Sequence, residues 1–260
     1  MTQPRPLDRD PLPSNPRELY LELLLKSLSN CIYGPIPADA WQDGLFRGDA
    51  PPGRDRSSPA HTMVGLLRLK NVLELTQRVI ELDVPGHFIE TGVWRGGCCI
   101  MMRGVLAANL ATDRLVYVAD SFAGLPPPKP DLYPKDAGST FHSIPELAIS
   151  LEEVKANFAR YDLLDDQVVF VKGFFHDTLP LLSKELRFSL LRLDGDMYES
   201  TIVALECLYP RLSIGGFCII DDYGAIPQCR EAVDDYRKKK GISEALHQID
   251  WTGVWWQKER

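Results

Sequence analysis

The sequence lacks the features of several broad protein classes. It contains no apolar run near the roughly 20 residues that a membrane span needs, and its polar, proline-rich N-terminus has no apolar core of the kind a secretory signal has. Basic residues number 29 against 36 acidic ones, and the net charge of −7 argues against nucleic acid or an anionic membrane as partner. None of the six cysteines has metal-ligand spacing, so we expect reduced, mostly buried thiols in a cytoplasmic enzyme.

Neither an internal repeat nor a shift in composition suggests a second domain. With 260 residues, 45% of them hydrophobic and 25% charged, the chain is long enough for one large α/β domain. We expect residues 1–16 to be a flexible tail and residues 17–260 to form this single domain, with a helical cover over 17–82. The irregular stretch 121–150 is predicted to be a substrate lid, because loops of this length are usually functional or disordered.

Short apolar runs alternate with helical patterns from residue 88 onward. Near-continuous apolar strands in such an alternation indicate an α/β fold with a parallel sheet covered by helices on both faces. Before it, a first helix carries leucines spaced for one face, Leu19, Leu23, Leu24 and Leu28, and Pro59 is predicted to open a second helix. The predicted helices span 17–30, 59–82, 97–111, 151–161, 199–211 and 227–240, and the predicted strands span 88–91, 115–120, 168–172, 189–194 and 216–221, followed by a terminal hairpin over 246–258.

A glycine-rich turn follows the first predicted strand, in the sequence ETGVWRGG from Glu90 to Gly97. Glycines let the backbone approach a ligand closely, and the helix that begins here offers N–H groups without an intrahelical partner. Asp120 ends the next strand, where an acid commonly binds both hydroxyls of a nucleotide ribose. These features predict a site for an adenosine-containing cofactor, although a glycine turn alone is also common as a purely structural feature. The turn has an acid where the G-x-G-x-x-G motif has its first glycine, which disfavours a nucleotide-dependent oxidoreductase.

Four carboxylates close two neighbouring strands of the predicted sheet. Asp194 and Asp196 end the run LLRLDGD, and Asp221 and Asp222 end the run GGFCIIDD one strand–helix–strand unit later. Acids two apart in an extended chain project to the same side, and parallel strands share their carboxyl edge. Clustered acids need a positive partner, so the pattern favours a Mg²⁺ or Ca²⁺ site over solvated strand ends. One of the four acids could instead be a general base.

The predicted lid carries side chains that could contact a substrate. They include Tyr133, Lys135, His142 and Glu146, within a segment that follows the cofactor strand directly. His142 is a candidate substrate contact, although a lone histidine in a loop is more often simply solvated.

The motifs of the chain resemble, in order, those of the macrocin O-methyltransferase family. The similarity runs from about Glu18 to Trp256 and includes ETGVWRGG, VADSFAGLP, LRLDGDMYEST, IGGFCIIDDYG and CREAVDDYR. The resemblance implies a class I methyltransferase fold, which is Rossmann-like and doubly wound, with a mostly parallel sheet and a terminal antiparallel strand. It further implies an enzyme that uses S-adenosylmethionine and Mg²⁺ to methylate a deoxysugar hydroxyl during antibiotic biosynthesis, as in macrolides and aminocoumarins.

The resemblance also implies roles for individual residues. Asp196 would be the general base and Asp194, Asp221 and Asp222 would bind Mg²⁺, although the division between Asp194 and Asp196 stays open. The implied cofactor contacts are Met63, Glu90, Thr91, Gly92, Arg95, Gly96, Gly97, Asp120, Ser121, Gly173, Phe174 and Asp194. Candidate contacts to the acceptor are Tyr133, His142 and Tyr198.

The expected partner is a small-molecule glycosylated acceptor, with no nucleic acid and no membrane. A homo-oligomer, most simply a dimer, is expected because the amphipathic helix over 17–30 could pack on another subunit. Two alternatives stay open. The acceptor could be a catechol-like phenol, whose vicinal oxygens also chelate a metal. The chain could also be a non-catalytic cofactor-binding protein, which the intact DGD and DD motifs disfavour.

Overall fold

The first helix is set by its cap. The computed structural model describes residues 15–33 and 59–260, so the predicted tail lies almost entirely outside the described residues. Helix α1 spans Pro16–Leu28 and begins after Asn15, whose side chain accepts a hydrogen bond from the Glu18 N–H at 3.0 Å. Asparagine at this position satisfies one of the N–H groups that a helix leaves unpaired.

The buried face of α1 differs from the predicted one. Leu19 and Leu23, expected to share that face, are 50% and 53% exposed. Helix α1 packs against helix α3 (Gly97–Ala108), where the absent side chain of Gly104 leaves room for Leu24. Leucines occur nearly all around α1, so this contact and not the spacing determines which of them are buried. The buried ones are Leu21, Leu24, Leu25 and Leu28.

Helix α2 spans Gly65–Glu81, so the prediction that Pro59 opens it is wrong. Residues 59–64 form bends whose backbone groups pair with distant parts of the chain. The His61 N–H donates to the Leu28 carbonyl, and the His61 carbonyl accepts the Gly97 N–H. These long-range bonds compete with helical ones and hold the segment out of the helix.

A seven-stranded sheet forms the centre of the fold, in the order β3-β2-β1-β4-β5-β7-β6. The first five strands in this order are parallel, whereas β7 pairs antiparallel with both β5 and β6. The predicted mostly parallel, doubly wound sheet with a terminal antiparallel strand is therefore confirmed. The strands are β1 (His87–Thr91), β2 (Val116–Asp120), β3 (Val168–Lys172), β4 (Phe188–Leu193), β5 (Leu212–Ile220), β6 (His247–Gln248) and β7 (Val254–Gln257). The other α-helices within the described residues are α4 (Leu151–Arg160), α5 (Phe175–Thr178), α6 (Tyr198–Leu208) and α7 (Pro227–Lys240).

Both faces of the sheet are buried, as the near-continuous apolar strands predict. Successive residues of a strand point to opposite faces. Phe88 of β1 packs in the cluster that includes α1, α2 and α3, and Ile89 packs in the cluster that includes α6 and α7. Within the described residues, no helix is both long and apolar enough to cross a lipid bilayer.

The strand order reverses between β1 and β4, which are neighbours in the centre of the sheet. Thr91 lies beside Leu193, and the Asp194 N–H donates to the Thr91 carbonyl at 2.9 Å. In open α/β sheets, ligands bind in the crevice at the carboxyl ends of strands where the order reverses. This crevice lies next to the glycine turn and the carboxylates.

Candidate active site

A cavity opens above the carboxyl ends of the central strands. Its wall combines the glycine turn after β1, the acid after β2, the carboxylates after β4 and β5, and part of the segment 121–150. The mixture of apolar and charged groups on this wall is typical of a site that binds small molecules.

The glycine turn shapes the cavity by its backbone path. Gly92 has φ +81, and a Cβ atom there would lie 1.7 Å from the Asp194 carbonyl oxygen. Only glycine therefore fits between the ends of β1 and β4.

The backbone N–H groups of this turn are already used within the protein. Gly92 donates to the Ala119 carbonyl, Gly96 to Val93, and Gly97 to His61. The expectation that the start of α3 offers unpaired N–H groups to a ligand is therefore wrong for the amides of Gly96 and Gly97. The amides of Gly92, Gly96 and Gly97 thus hold the shape of the turn.

Asp120 fixes the turn from the neighbouring strand. One of its carboxylate oxygens accepts the Val93 N–H at 2.8 Å, and the other accepts the Phe122 N–H at 2.8 Å. Burial raises the pKa of Asp120, while these backbone donors lower it. A carboxylate oxygen can accept more than one hydrogen bond, so Asp120 keeps acceptor capacity on the cavity wall.

Arg192 is the central cation of the acidic cluster, and sequence reasoning missed it. This arginine lies on β4 and is 1% exposed. It donates to Glu90 at 2.5 Å, to Asp194 at 2.8 Å, and to Asp221. An arginine inside an otherwise apolar strand was the available signal, because a buried charge needs partners.

A second arginine was missed on α2. Arg68 is 6% exposed and donates to Asp221 and, at 3.0 Å, to Asp250. The positive charge that the four carboxylates require is therefore supplied in part by arginines from β4 and α2.

Burial raises the pKa values of the acidic groups despite these cations. Burial and the charge of Asp221 raise the pKa of Asp194 to about 6, while Arg192 lowers it. The pKa of Asp222 is raised well above its ordinary value, first by burial and then by the three neighbouring aspartates. Burial also raises the pKa of Glu90 to about 7, against the effect of Arg192. Negative charge at this edge of the sheet thus remains costly.

Three of the carboxylates fit a hard divalent cation. Asp194, Asp221 and Asp222 each place an oxygen within 4.8 Å of the others. One oxygen of Asp222 is buried with no hydrogen-bond partner among the described residues. Oxygen-only donors with an unsatisfied buried carboxylate are the chemistry that Mg²⁺ prefers.

Asp196 reaches the cavity by a different backbone path from the predicted one. Strand β4 ends at Leu193, and Asp196 has φ +57, so Asp194 and Asp196 are not two residues of one extended chain. Both still line the cavity.

The structure brings most of the predicted site residues to one cavity. The predicted residues on its wall are Met63, Glu90, Gly92, Asp120, Ser121, Phe174, Asp194, Asp196, Asp221 and Asp222. Those that do not line it are Thr91, Arg95, Gly96, Gly97, Gly173, Tyr133, His142 and Tyr198. Tyr198 instead donates to Asp235 at 3.0 Å, and His142 is exposed. The roles assigned to all of these residues stay predictions.

The segment 121–150 covers the cavity with apolar side chains that sequence reasoning did not single out. Phe141, Ile144 and Leu147 line the wall, from two short turns at Phe141–Ser143 and Pro145–Leu147. The Trp94 indole of the glycine turn donates to the Glu146 carbonyl at 2.9 Å. This hydrogen bond therefore holds the segment next to the glycine turn.

The chain is similar over nearly its whole length to antibiotic-tailoring enzymes. A family model described as macrocin O-methyltransferase (TylF) matches residues 39–258. The chain is 52% identical over 246 residues to the 8-demethyl-8-(2,3-dimethoxy-alpha-L-rhamnosyl)-tetracenomycin-C 4'-O-methyltransferase of Streptomyces olivaceus, covering 93% of each protein. It is 46% identical over 247 residues to the demethyldecarbamoylnovobiocin O-methyltransferase of Streptomyces niveus, covering 93% of this chain and 94% of that protein.

Solved structures agree with the sequence relatives. The structure of the O-methyltransferase NovP superposes with a TM-score of 0.83 at 43% identity, covering 94% of this chain and 100% of that one. The calicheamicin methyltransferase CalS11 gives a TM-score of 0.58 at 20% identity, covering 95% of this chain and 94% of that one, and shares the fold.

Proposed function

This chain belongs to the macrocin O-methyltransferase family, and on that basis we propose that it methylates a hydroxyl of a deoxysugar on a glycosylated natural product. S-adenosylmethionine is the proposed methyl donor, Mg²⁺ the proposed metal and Asp196 the proposed general base. The observation that carries the proposal is the shared cavity. Asp120 and the glycine turn line one part of its wall, and the four carboxylates line the other.

The cofactor end of the cavity is assigned to the glycine turn and the acid after β2. Asp120 would accept the ribose hydroxyls, while Met63 and Phe174 would provide apolar contacts. S-adenosylmethionine supplies an electrophilic methyl group, so the chain has only to bind and orient the donor.

The metal would be held by Asp194, Asp221 and Asp222, whose oxygens lie within 4.8 Å of one another. A Mg²⁺ ion held by these residues would supply Lewis-acid chemistry, which lowers the pKa of an acceptor hydroxyl. Arg68 and Arg192 hold Asp221 in place by donating to separate oxygens of its carboxylate.

Asp196 would take the proton from the acceptor hydroxyl. It lies on the cavity wall next to the proposed metal ligands, where its carboxylate can accept a proton as the oxygen attacks the methyl group. Phe141, Ile144 and Leu147 of the lid would exclude water from this part of the cavity.

The names of the relatives support a sugar as the acceptor. One relative is named for a rhamnosyl-bearing tetracenomycin, and another is named mycinamicin III 3''-O-methyltransferase and comes from Micromonospora griseorubida.

The test is incubation with S-adenosylmethionine and a panel of deoxysugar-bearing polyketides and aminocoumarins, with catechols as a separate arm. We expect a glycoside to gain one methyl group on a sugar oxygen, detected by mass spectrometry and located by NMR.

Chelation and one substitution test the proposed chemistry. Activity should be lost after treatment with EDTA and return with Mg²⁺. Asp196→Asn should lose turnover and still bind S-adenosylmethionine by calorimetry. Asp162→Asn is the matched control, because Asp162 is an exposed aspartate that also has a positive φ, +55. Full turnover in Asp196→Asn would contradict the base assignment, and full activity after thorough chelation would contradict the metal.

A further inference from the structure

One acidic residue of the lid is fully buried against helix α6. Asp136 ends the short turn Pro134–Asp136 and is 0% exposed. Its Oδ1 accepts the Tyr198 N–H at 2.7 Å, and its Oδ2 accepts the Glu199 N–H at 2.8 Å. The lid and the start of α6 are 62 residues apart in the sequence at this contact.

These two bonds replace a cap that the helix lacks locally. The first N–H groups of a helix have no intrahelical partner, and a side chain at the preceding position usually satisfies one of them. The residue before α6 is Met197, whose side chain makes no capping bond. Asp136 supplies the missing acceptors from the lid, and its negative charge is favourable at a helix N-terminus.

The capped amides lie two and three residues after the proposed base. Tyr198 comes two residues after Asp196, which is in a left-handed conformation with φ +57. The turn between β4 and α6 is short, and the Met197 N–H closes it by donating to the Gly195 carbonyl at 2.5 Å. The position of Asp196 therefore depends on where α6 begins.

A second lid residue reaches the same turn of α6. Lys129 donates to the Glu199 carboxylate at 2.9 Å, and Glu199 is 2% exposed. The His176 ring contributes Nδ1 at 3.4 Å from the same carboxylate oxygen. The backbone and the side chain of Glu199 are thus both held by groups from outside the helix.

The geometry points to Asp136 as a positioning residue: by capping α6, the lid holds the turn that carries Asp196 in its productive place. This inference rests on the proposed function, since it concerns the placement of the proposed base. The lid then does more than exclude water, because the two hydrogen bonds of Asp136 contribute both to its docking and to the placement of Asp196.

The test compares two cap deletions. Asp136→Ala removes both acceptors from α6, while Asn15→Ala removes the side-chain cap of α1, which is remote from the cavity. Loss of a cap costs about 1 kcal/mol of stability in either case. We expect kcat to fall about 10- to 100-fold in Asp136→Ala, since a misplacement of about 1 Å can cost that much. The Kd for S-adenosylmethionine should change less than about twofold, and Asn15→Ala should keep the kcat of the wild type.

A conservative variant and hydrogen exchange separate positioning from stability. Asp136→Asn keeps one acceptor oxygen and should recover part of the lost kcat. In Asp136→Ala, the amides of Tyr198 and Glu199 should exchange faster with solvent, while those in the middle of α6 keep their protection. If Asp136→Ala folds poorly, Asp136→Asn carries the comparison, with an intermediate loss of kcat expected.

Either of two results overturns the inference. One is a kcat loss in the Asp136 variants no greater than that in Asn15→Ala at equal thermal stability. The other is unchanged exchange at Tyr198 and Glu199. Failure of the proposed function is recognised separately, because a wild-type protein that methylates no acceptor still reports on the cap through hydrogen exchange.

Discussion

Replacing Arg192 by methionine removes the shared partner of three carboxylates. Methionine fills much of the arginine stem but donates no hydrogen bond, so Glu90 and Asp194 lose their guanidinium contact and Asp221 keeps only Arg68. Removing one partner of a buried ion pair typically costs about 3–5 kcal/mol, because the other charge stays buried without compensation.

The predicted loss depends on pH. Arg192 lowers the pKa of Glu90, which burial holds at about 7, so its removal raises that pKa further. A carboxyl group whose folded pKa lies above its unfolded pKa stabilises the fold at low pH, and this stability is lost as the pH rises through the folded pKa. Protonation of Glu90 therefore limits the cost near pH 6, and the difference between variant and wild type should grow toward about pH 8.

Urea denaturation followed by tryptophan fluorescence, in the presence of a chelator, measures this difference. The matched control is Arg187→Met, at an exposed arginine just before β4 that donates only to nearby carbonyls within the described structure. The control should lose no more than about 0.5 kcal/mol. A loss in Arg192→Met as small as in the control, or one that does not grow with pH, would refute the reasoning.

Two further predictions concern the glycine turn and the bends before α2. Gly92→Ala should destabilise the protein strongly and abolish cofactor binding, because the added Cβ would lie 1.7 Å from the Asp194 carbonyl oxygen. The control is Gly138→Ala, where φ is +82 and a Cβ would meet no atom within 4 Å. This control should cost only about 1–2 kcal/mol of backbone strain. Equal melting temperatures and equal cofactor affinities in the two variants would contradict this steric argument. Burial, and then Arg160 and Arg95, lower the pKa of His61 to about 4, so the unfolded state takes up a proton first and stability should fall as the pH drops from about 6.5 toward 4. Over this range the free energy of unfolding of the wild type should fall by roughly 2 kcal/mol more than that of His61→Gln, after allowance for the partial exposure of His61. Parallel curves of stability against pH for the two proteins would show that His61 does not titrate in this way.

Much of the fold follows from local pattern. The apolar β-branched runs predicted every strand of the parallel sheet to within a few residues, since a strand buried on both faces has little choice but to be apolar throughout. The fold class is confirmed for the same reason.

Long-range contacts decided the buried face of α1 and the start of α2, which the sequence pattern did not determine. The spacing of leucines in α1 allowed more than one buried face, and the room over Gly104 selected one. Pro59 could begin a helix, but the bonds of His61 to Leu28 and Gly97 hold the segment in bends. Local propensity is weak compared with such tertiary pairing.

By itself, the sequence determined which groups lie at the carboxyl edge of the sheet, because parallel strands bring their carboxyl ends together whatever else the chain does. The four aspartates, Asp120 and the glycine turn are there for that reason. Only the tertiary structure decided which side chains compensate the charge of these acids and hold them in position. Arg192 and Arg68 compensate the acids, and Asp136 caps the helix after Asp196, from positions that no spacing in the sequence connects. Burial makes an uncompensated charge or amide costly, so the fold had to supply partners from distant segments, and only the folded chain shows which ones.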